Sequence, residues 1–187
     1  MSEYLIALGS NLPTDKYDLT SILSAALDQL HQRQGVSVDR ISPWYRTPAW
    51  PEGSGPDFVN GAALLRSSYS PIAILPYLHE VEKALGRERR ERWGARTYDL
   101  DLIGAGALIV PDVGTVTDWI ESGPDAARIP DELLLPHPRL HERAFVLVPL
   151  CDIAPDWVHP VLNRSATQLL DSLPQAEVEA VSRIETG

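Results

Sequence analysis

Arg87-Glu88-Arg89-Arg90-Glu91-Arg92-Trp93-Gly94-Ala95-Arg96-Thr97-Tyr98-Asp99-Leu100-Asp101 (residues 87–101) runs on into Leu102-Ile103 and orders the rest of the chain around it. From Tyr98 to Ile103 the side chains alternate with the period of a strand. Asp99 and Asp101 fall on one face, Leu100 and Leu102 on the other. Such a strand offers an apolar face to a core and an acidic face to a cleft. Just before it stand Arg87, Arg89, Arg90, Arg92 and Arg96, five of the 16 basic residues of a chain whose net charge is −10. Guanidiniums hold phosphate oxygens and closely spaced carboxylates hold a hard cation, so the combination points to a magnesium polyphosphate. Taken separately, each half has a plainer reading. The arginines fit a solvated loop paired with Glu88 and Glu91, and Asp-x-Asp fits an edge strand with scattered charges.

Working outward, Tyr4 to Leu8 is a short apolar run stopped by Gly9-Ser10-Asn11-Leu12-Pro13, which reads as a buried strand and a turn. Leu19, Ile22, Leu23, Ala26, Leu27 and Leu30 share one helical face before Gly35. Val36 to Ser42 is strand-like. Trp44 to Pro56 is rich in proline and glycine and is expected to be a functional loop without regular structure. Phe58 to Arg66 alternates as a strand, with Phe58, Asn60, Ala62 and Leu64 on one face. Ser70-Pro71 caps a helix through Leu78 and Val81 to Gly86. Pro76 is expected to bend it or delay its start, and His79 and Glu82, three apart, are expected to share a face. Residues 104–132 read as a long excursion ordered only at Ala107 to Val110. Ser165 to Leu173 reads as a short helix and Val178 to Val181 as a last strand. The order strand, helix, strand, strand, helix, strand predicts an α+β fold. The expected form is a ferredoxin-like split βαβ arrangement: a mainly antiparallel sheet, helices on one face, and C-terminal helical or irregular additions.

A length of 187 residues with 44% apolar content fits a single domain, residues 1–187, with a sizeable core. The acidic balance argues against nucleic-acid partners, and no apolar run approaches a membrane span. The single cysteine, Cys151, excludes an internal disulfide and fits a cytoplasmic setting. Lys16 and Lys83 follow no glycine-rich loop, so a Walker-type phosphate loop is absent. The five histidines lack metal-ligand spacing, and Cys151 has no neighbouring base to make it a nucleophile. Phe58 beside Asn60 on one strand face combines an aromatic surface with an amide, which suits a flat, hydrogen-bonding heterocycle.

Several stretches occurring in order resemble one family. They are Gly9-Ser10-Asn11-Leu12, Tyr45-Arg46-Thr47-Pro48, Pro56-Asp57-Phe58-Val59-Asn60, Glu82 to Gly86, Arg92 to Asp101, Leu135-Pro136-His137-Pro138-Arg139 and Arg143-Ala144-Phe145. Together they resemble the 6-hydroxymethyl-7,8-dihydropterin pyrophosphokinases of folate biosynthesis, from Tyr4 to about Asp156. The resemblance implies transfer of pyrophosphate from ATP to the pterin hydroxymethyl group with release of AMP. It implies Asp99 and Asp101 as ligands of two Mg²⁺ ions, and Arg87 and Arg96 as catalytic. His79, Glu82, Arg89, Trp93, His137 and Arg143 match nucleotide-side positions; Thr47, Pro48, Phe58, Asn60 and Phe145 match the pterin pocket. The expected partners are these small molecules alone, with a monomeric chain, and no general base is assigned. Three positions depart from the family pattern: Phe58 stands where Tyr is common, Ala95 where Pro is usual, and Pro138 where an aromatic contact is possible. The excursion at 104–132 is also longer than is typical.

Overall fold

The acidic-faced strand, Asp99–Gly104 (β5), lies at one edge of a six-stranded sheet. The computed structural model describes residues 1–12, 18–49, 55–85, 98–123 and 130–185. Chain order gives strand Ser2–Ser10 (β1), helix Leu19–Gln32 (α1), strands Val36–Ile41 (β2), Tyr45–Thr47 (β3) and Phe58–Ser67 (β4), helix Pro71–Ala84 (α2) and then β5. The sheet order is β5-β1-β4-β3, continued by strand Ser182–Arg183 (β8), while β2 also pairs with β4. Every one of these pairings is antiparallel. β4 thus lies between β1 and the β2–β3 strands, and β1 lies between β4 and β5. Two βαβ units interleave in this way, and the split arrangement expected from the element order is what forms.

Alternation along β1 and β4 decides the layers. Tyr4, Ile6 and Leu8 with Val59, Ala63 and Leu65 pack beneath α1 and α2, where Ile22, Leu23, Ala26, Leu27, Leu30, Ile74, Leu78 and Val81 are buried. Each large aliphatic side chain removed from water there contributes about 1.5–3 kcal/mol. Leu5, Ala62, Leu64 and Ile103 face the other way. The C-terminal additions cover that second face in part: helix Ala144–Ile153 (α4) sets Val146, Leu147 and Leu150 on it, backed by helix Ala166–Leu170 (α5). The strands Val158–His159 (β6) and Arg164–Ser165 (β7) form a small separate ladder. Among the described residues no helix is long and apolar enough to cross a membrane.

Several local expectations need correction. Tyr45–Thr47 is a strand, because β4 offers Phe58, Val59 and Asn60 as ladder partners within the segment expected to be irregular. Helix Val113–Glu121 (α3) forms inside 104–132; Asp112 caps it by accepting the Thr115 amide, and Val116 is its buried anchor. Pro76 does not delay α2, which begins at Pro71 with Ser70 as its cap. The segment expected to be a last strand begins inside helix Gln175–Glu179 (α6), and the edge strand β8 follows it. The helix expected to reach Leu173 ends at Leu170. His79 and Glu82 do not share an environment: His79 is exposed, whereas Glu82 is turned into the core at 3% exposure.

Candidate active site

Register across the sheet assembles the site. Asp99 of β5 lies opposite Gly9 of β1, Gly9 lies opposite Asn60 of β4, and Asn60 lies opposite Tyr45 of β3. These four positions form one row across four strands. The parallel row next to it holds Asp101, Ala7 and Ala62. With strands about 4.8 Å apart, the Asp99 and Asn60 backbones stand roughly 10 Å from one another across Gly9. A Cβ at Gly9 would sit 2.9 Å from Asn60 Oδ1. The glycine is therefore a gap in the floor, and the Asn60 carbonyl leans over it.

The acceptor end of the row is fixed by side-chain hydrogen bonds. Asn60 is 5% exposed, and its Nδ2 donates to Thr47 Oγ1 at 2.7 Å. That bond sets the amide orientation and leaves Oδ1 turned toward Gly9. Phe58, opposite Thr47 in the ladder, is half-buried on the same face. Phe145, in the first turn of α4, is 40% exposed, and the Arg143 guanidinium lies 5.7 Å from its ring centroid. Pro48 is exposed at the end of β3. The turn after β1 is held against Pro56, whose carbonyl accepts from Asn11 Nδ2 at 3.5 Å.

The acidic end is held by α2. The Leu100 amide, between the two aspartates, donates to the Glu82 carboxylate at 2.9 Å. One residue pair away, the buried Tyr98 hydroxyl donates to the Val81 carbonyl at 2.7 Å. Both bonds tie the start of β5 to the last turns of α2, so Asp99 (half-buried) and Asp101 (exposed) project from a rigid mount. Among the described residues no third His, Cys, Asp or Glu joins them in a metal-ligand group. Two carboxylates from one strand face are a donor set that suits a small hard cation whose remaining ligands are water and phosphate oxygens.

His137 extends this end. Its amide donates to the Ile103 carbonyl at 2.9 Å, which sets it beside β5. Burial first, then the Arg143 and Arg139 guanidiniums, pull its imidazole down to about 3. The ring is therefore neutral. Its Nδ1 accepts the Arg139 amide at 3.1 Å, so Nε2 carries the hydrogen and is a donor. Cys151 is unsuited to nucleophilic work, since burial pushes its thiol up to about 11.

Among the described site residues, Thr47, Phe58 and Asn60 are joined across β3 and β4, Asp99 and Asp101 share the β5 face with His137 bonded beside that strand, and Arg143 lies with Phe145 at the start of α4. Glu82 stands behind the acidic end, and His79 is on the exposed side of α2. Arg87, Arg89, Trp93 and Arg96 lie outside the described residues. A groove of about 600 Å³ between α1 and α2 is not part of the site; Arg33 lies in it over the Tyr77 ring at 4.3 Å, and neither aspartate lines it. Sequence reasoning overlooked the part played by Gly9, which it took for a turn residue. Carrying the alternation of Tyr4–Leu8 one residue further would have put Gly9 on the face of Leu5 and Ala7. The clamping role of Tyr98 had no sequence signal beyond its adjacency to Asp99.

Comparison with known proteins shows the family of the chain. The model of the family described as 7,8-dihydro-6-hydroxymethylpterin-pyrophosphokinase (HPPK) matches residues 5–155. A 2-amino-4-hydroxy-6-hydroxymethyldihydropteridine pyrophosphokinase of Synechocystis is 36% identical over 98% of this chain and 80% of its own length. One from Methylorubrum extorquens is 32% identical over 97% of this chain and 99% of its own. A crystal structure of a Plasmodium falciparum HPPK-DHPS mutant superposes over 99% of this chain with a TM-score of 0.70, at 15% identity. The chain spans 48% of that longer protein, so the likeness there is one of fold.

Proposed function

Because the chain belongs to the 7,8-dihydro-6-hydroxymethylpterin-pyrophosphokinase family, we propose that the row Asp99–Gly9–Asn60 is the floor of its active site, with nucleotide at one end and pterin at the other. The enzyme transfers pyrophosphate from ATP to the hydroxymethyl group of 6-hydroxymethyl-7,8-dihydropterin, giving the pterin diphosphate and AMP, a step in folate biosynthesis. The observation that carries the assignment of ends is the gap at Gly9. Without a Cβ there, the oriented Asn60 amide leans across β1 and offers its Oδ1 on the shared face, two strands from Asp99.

In this reaction the pterin hydroxyl oxygen bonds to the β-phosphorus while the bond to the α-phosphate oxygen breaks in line. The hydroxyl proton leaves to solvent, and AMP carries away the electron pair. Such chemistry needs alignment and charge neutralisation more than covalent help. Asn60, held by Thr47, hydrogen-bonds the pterin edge, and Phe58 and Phe145 take its two faces. Phe in place of Tyr at 58 keeps the stacking surface without a hydroxyl. Pro48 closes the rim.

Asp99 and Asp101 would hold Mg²⁺, two ions in all, which neutralises phosphate charge when bound. Neutral His137 donates through Nε2 to the nucleotide without adding charge, while Arg143 supplies the positive charge beside it. His79 lies toward the nucleotide side, and Glu82 keeps β5 in place under the phosphates. Arg87 and Arg96 meet the charge that develops in transfer, and Arg89 and Trp93 cover the nucleotide. These four are assigned from sequence. We take the chain as one catalytic domain, monomeric and cytoplasmic, acting on small molecules and not on nucleic acid. The excursion at 104–132 is an insertion within that domain.

The test is AMP formation from Mg-ATP with and without the dihydropterin. Stoichiometric AMP and pterin diphosphate support the assignment. A folded protein that releases ADP, or releases AMP without needing the pterin, overturns it.

A further inference from the structure

Two side chains outside the site as assigned join its two walls. Tyr45 is opposite Asn60 in the β3–β4 ladder and is 8% exposed. Its hydroxyl donates to Asp152 Oδ2 at 2.7 Å. Asp152 is on α4, seven residues beyond Phe145, which is two helical turns along the same stripe. Phe145 and Asp152 are both exposed, and the residues between them that face the sheet (Val146, Leu147, Leu150) are buried. α4 therefore rests on β4 through aliphatic side chains, whose attraction is non-directional. Directional bonds fix its position. The Ile153 carbonyl accepts from Arg40 Nη1 at 2.6 Å, which secures the C-terminal end to β2. The Tyr45–Asp152 bond secures the same helix to the strand that carries Thr47.

Building on the acceptor assignment above, we propose that the Tyr45–Asp152 hydrogen bond is a positioning contact. It sets the separation between the β3–β4 wall of the pterin pocket (Thr47, Phe58, Asn60) and the α4 wall (Phe145), and so governs affinity for the pterin and not for ATP. Tyr45 is suited to a permanent donor role. Burial first, then the bond to Asp152, push its phenol up to about 12, with Arg183 of β8 opposing, so the hydroxyl keeps its proton throughout the working range. β8 pairs on the far side of β3, Arg183 opposite Tyr45, and holds the strand from behind.

The test measures KM for each substrate and kcat in Tyr45→Phe, Asp152→Leu, Asp152→Asn, Phe145→Ala and the double variant Tyr45→Phe/Phe145→Ala. Removing the bond in Tyr45→Phe or Asp152→Leu is expected to raise the pterin KM about three- to tenfold, the worth of one partly solvated hydrogen bond, with the ATP KM unchanged. Asp152→Asn keeps an acceptor for the hydroxyl and restores near-normal pterin KM. With Phe145 already removed, Tyr45→Phe adds less than about twofold, because the two act through one wall. An equal effect of Tyr45→Phe in both backgrounds, or a matching rise in ATP KM, overturns the proposal. Phe145→Ala that raises the pterin KM while Tyr45→Phe does not overturns the positioning role alone. Phe145→Ala with an unchanged pterin KM overturns the acceptor assignment beneath it as well.

Discussion

Replacing Gly9 by alanine separates a structural from a functional role at the centre of the site. The new methyl would stand 2.9 Å from Asn60 Oδ1, too close for a carbon and an oxygen, so one of them must move. β1 is paired on both sides at this position, with Asn60 and with Asp99, so its backbone is the less able to yield. The Asn60 side chain is the mobile partner, and it is held at the Thr47 hydroxyl by a 2.7 Å bond. Turning the amide away breaks that bond, worth about 0.5–1.5 kcal/mol, and misdirects the carbonyl from the substrate by a similar amount. The first loss falls on folding and the second on binding, which raises the pterin KM about two- to tenfold. Gly9 is not among the positive-φ glycines, so alanine adopts its backbone without strain. Alanine in a strand interior recovers about 0.5–1 kcal/mol relative to glycine, which offsets the cost to folding. Thermal stability is thus expected to stay near that of the parent chain. The assay is steady-state AMP release with pterin varied at saturating ATP, then the reverse. An unchanged pterin KM, or a rise confined to ATP, would refute the idea that the acceptor ring lies over Gly9.

Glu82→Ala leaves the buried Leu100 amide without its carboxylate acceptor and is expected to lower stability by about 1.5–3 kcal/mol, read by urea denaturation; a loss below about 0.5 kcal/mol would show that the bond does not hold β5. Asp99→Asn and Asp101→Asn should abolish turnover at limiting Mg²⁺ while the fold, read by circular dichroism, is kept; near-normal activity there would remove the metal role. Burial first, then His141, lowers the His159 imidazole to about 4, below its ordinary unfolded value near 6.5. The unfolded chain therefore takes up a proton that the folded chain refuses, so this contribution is full above pH 6.5 and is lost as pH falls toward 4, at about 1.4 kcal/mol per pH unit. His159→Asn, which keeps an acceptor for the Val161 and Leu162 amides, should flatten the stability profile in that window, and an unaltered slope would contradict it.

Much of this was legible in the sequence because period and chemistry coincided. The alternation of Asp99, Leu100, Asp101 and Leu102 gave both the strand and its acidic face, and Phe58 with Asn60 gave the face of β4. The α1 stripe of Ile22, Leu23, Ala26, Leu27 and Leu30 became buried as its spacing required. What could not be read was set by partners distant in the chain. Tyr45–Thr47 is a strand because Phe58–Asn60 lies beside it, and the prolines and glycines around it say nothing of that. Glu82 is three residues from His79, but the Leu100 amide draws it inward while His79 remains in solvent. α3 is nine residues long, with Asp112 as cap and Val116 buried, and its Val113–Val116–Ile120 spacing is short enough to be lost among the Gly, Pro and Asp residues around it. Asp152 carries no signal in the sequence, since its partner Tyr45 lies far earlier in the chain.

The division of the floor between two substrates is tested most directly by a crystal structure with Mg²⁺, an unreactive ATP analogue and the dihydropterin bound together. The expected result has the pterin over Gly9, its edge on the Asn60 amide and its faces against Phe58 and Phe145, with the metal on Asp99 and Asp101. A pterin bound away from Asn60, or metal held without either aspartate, would contradict it.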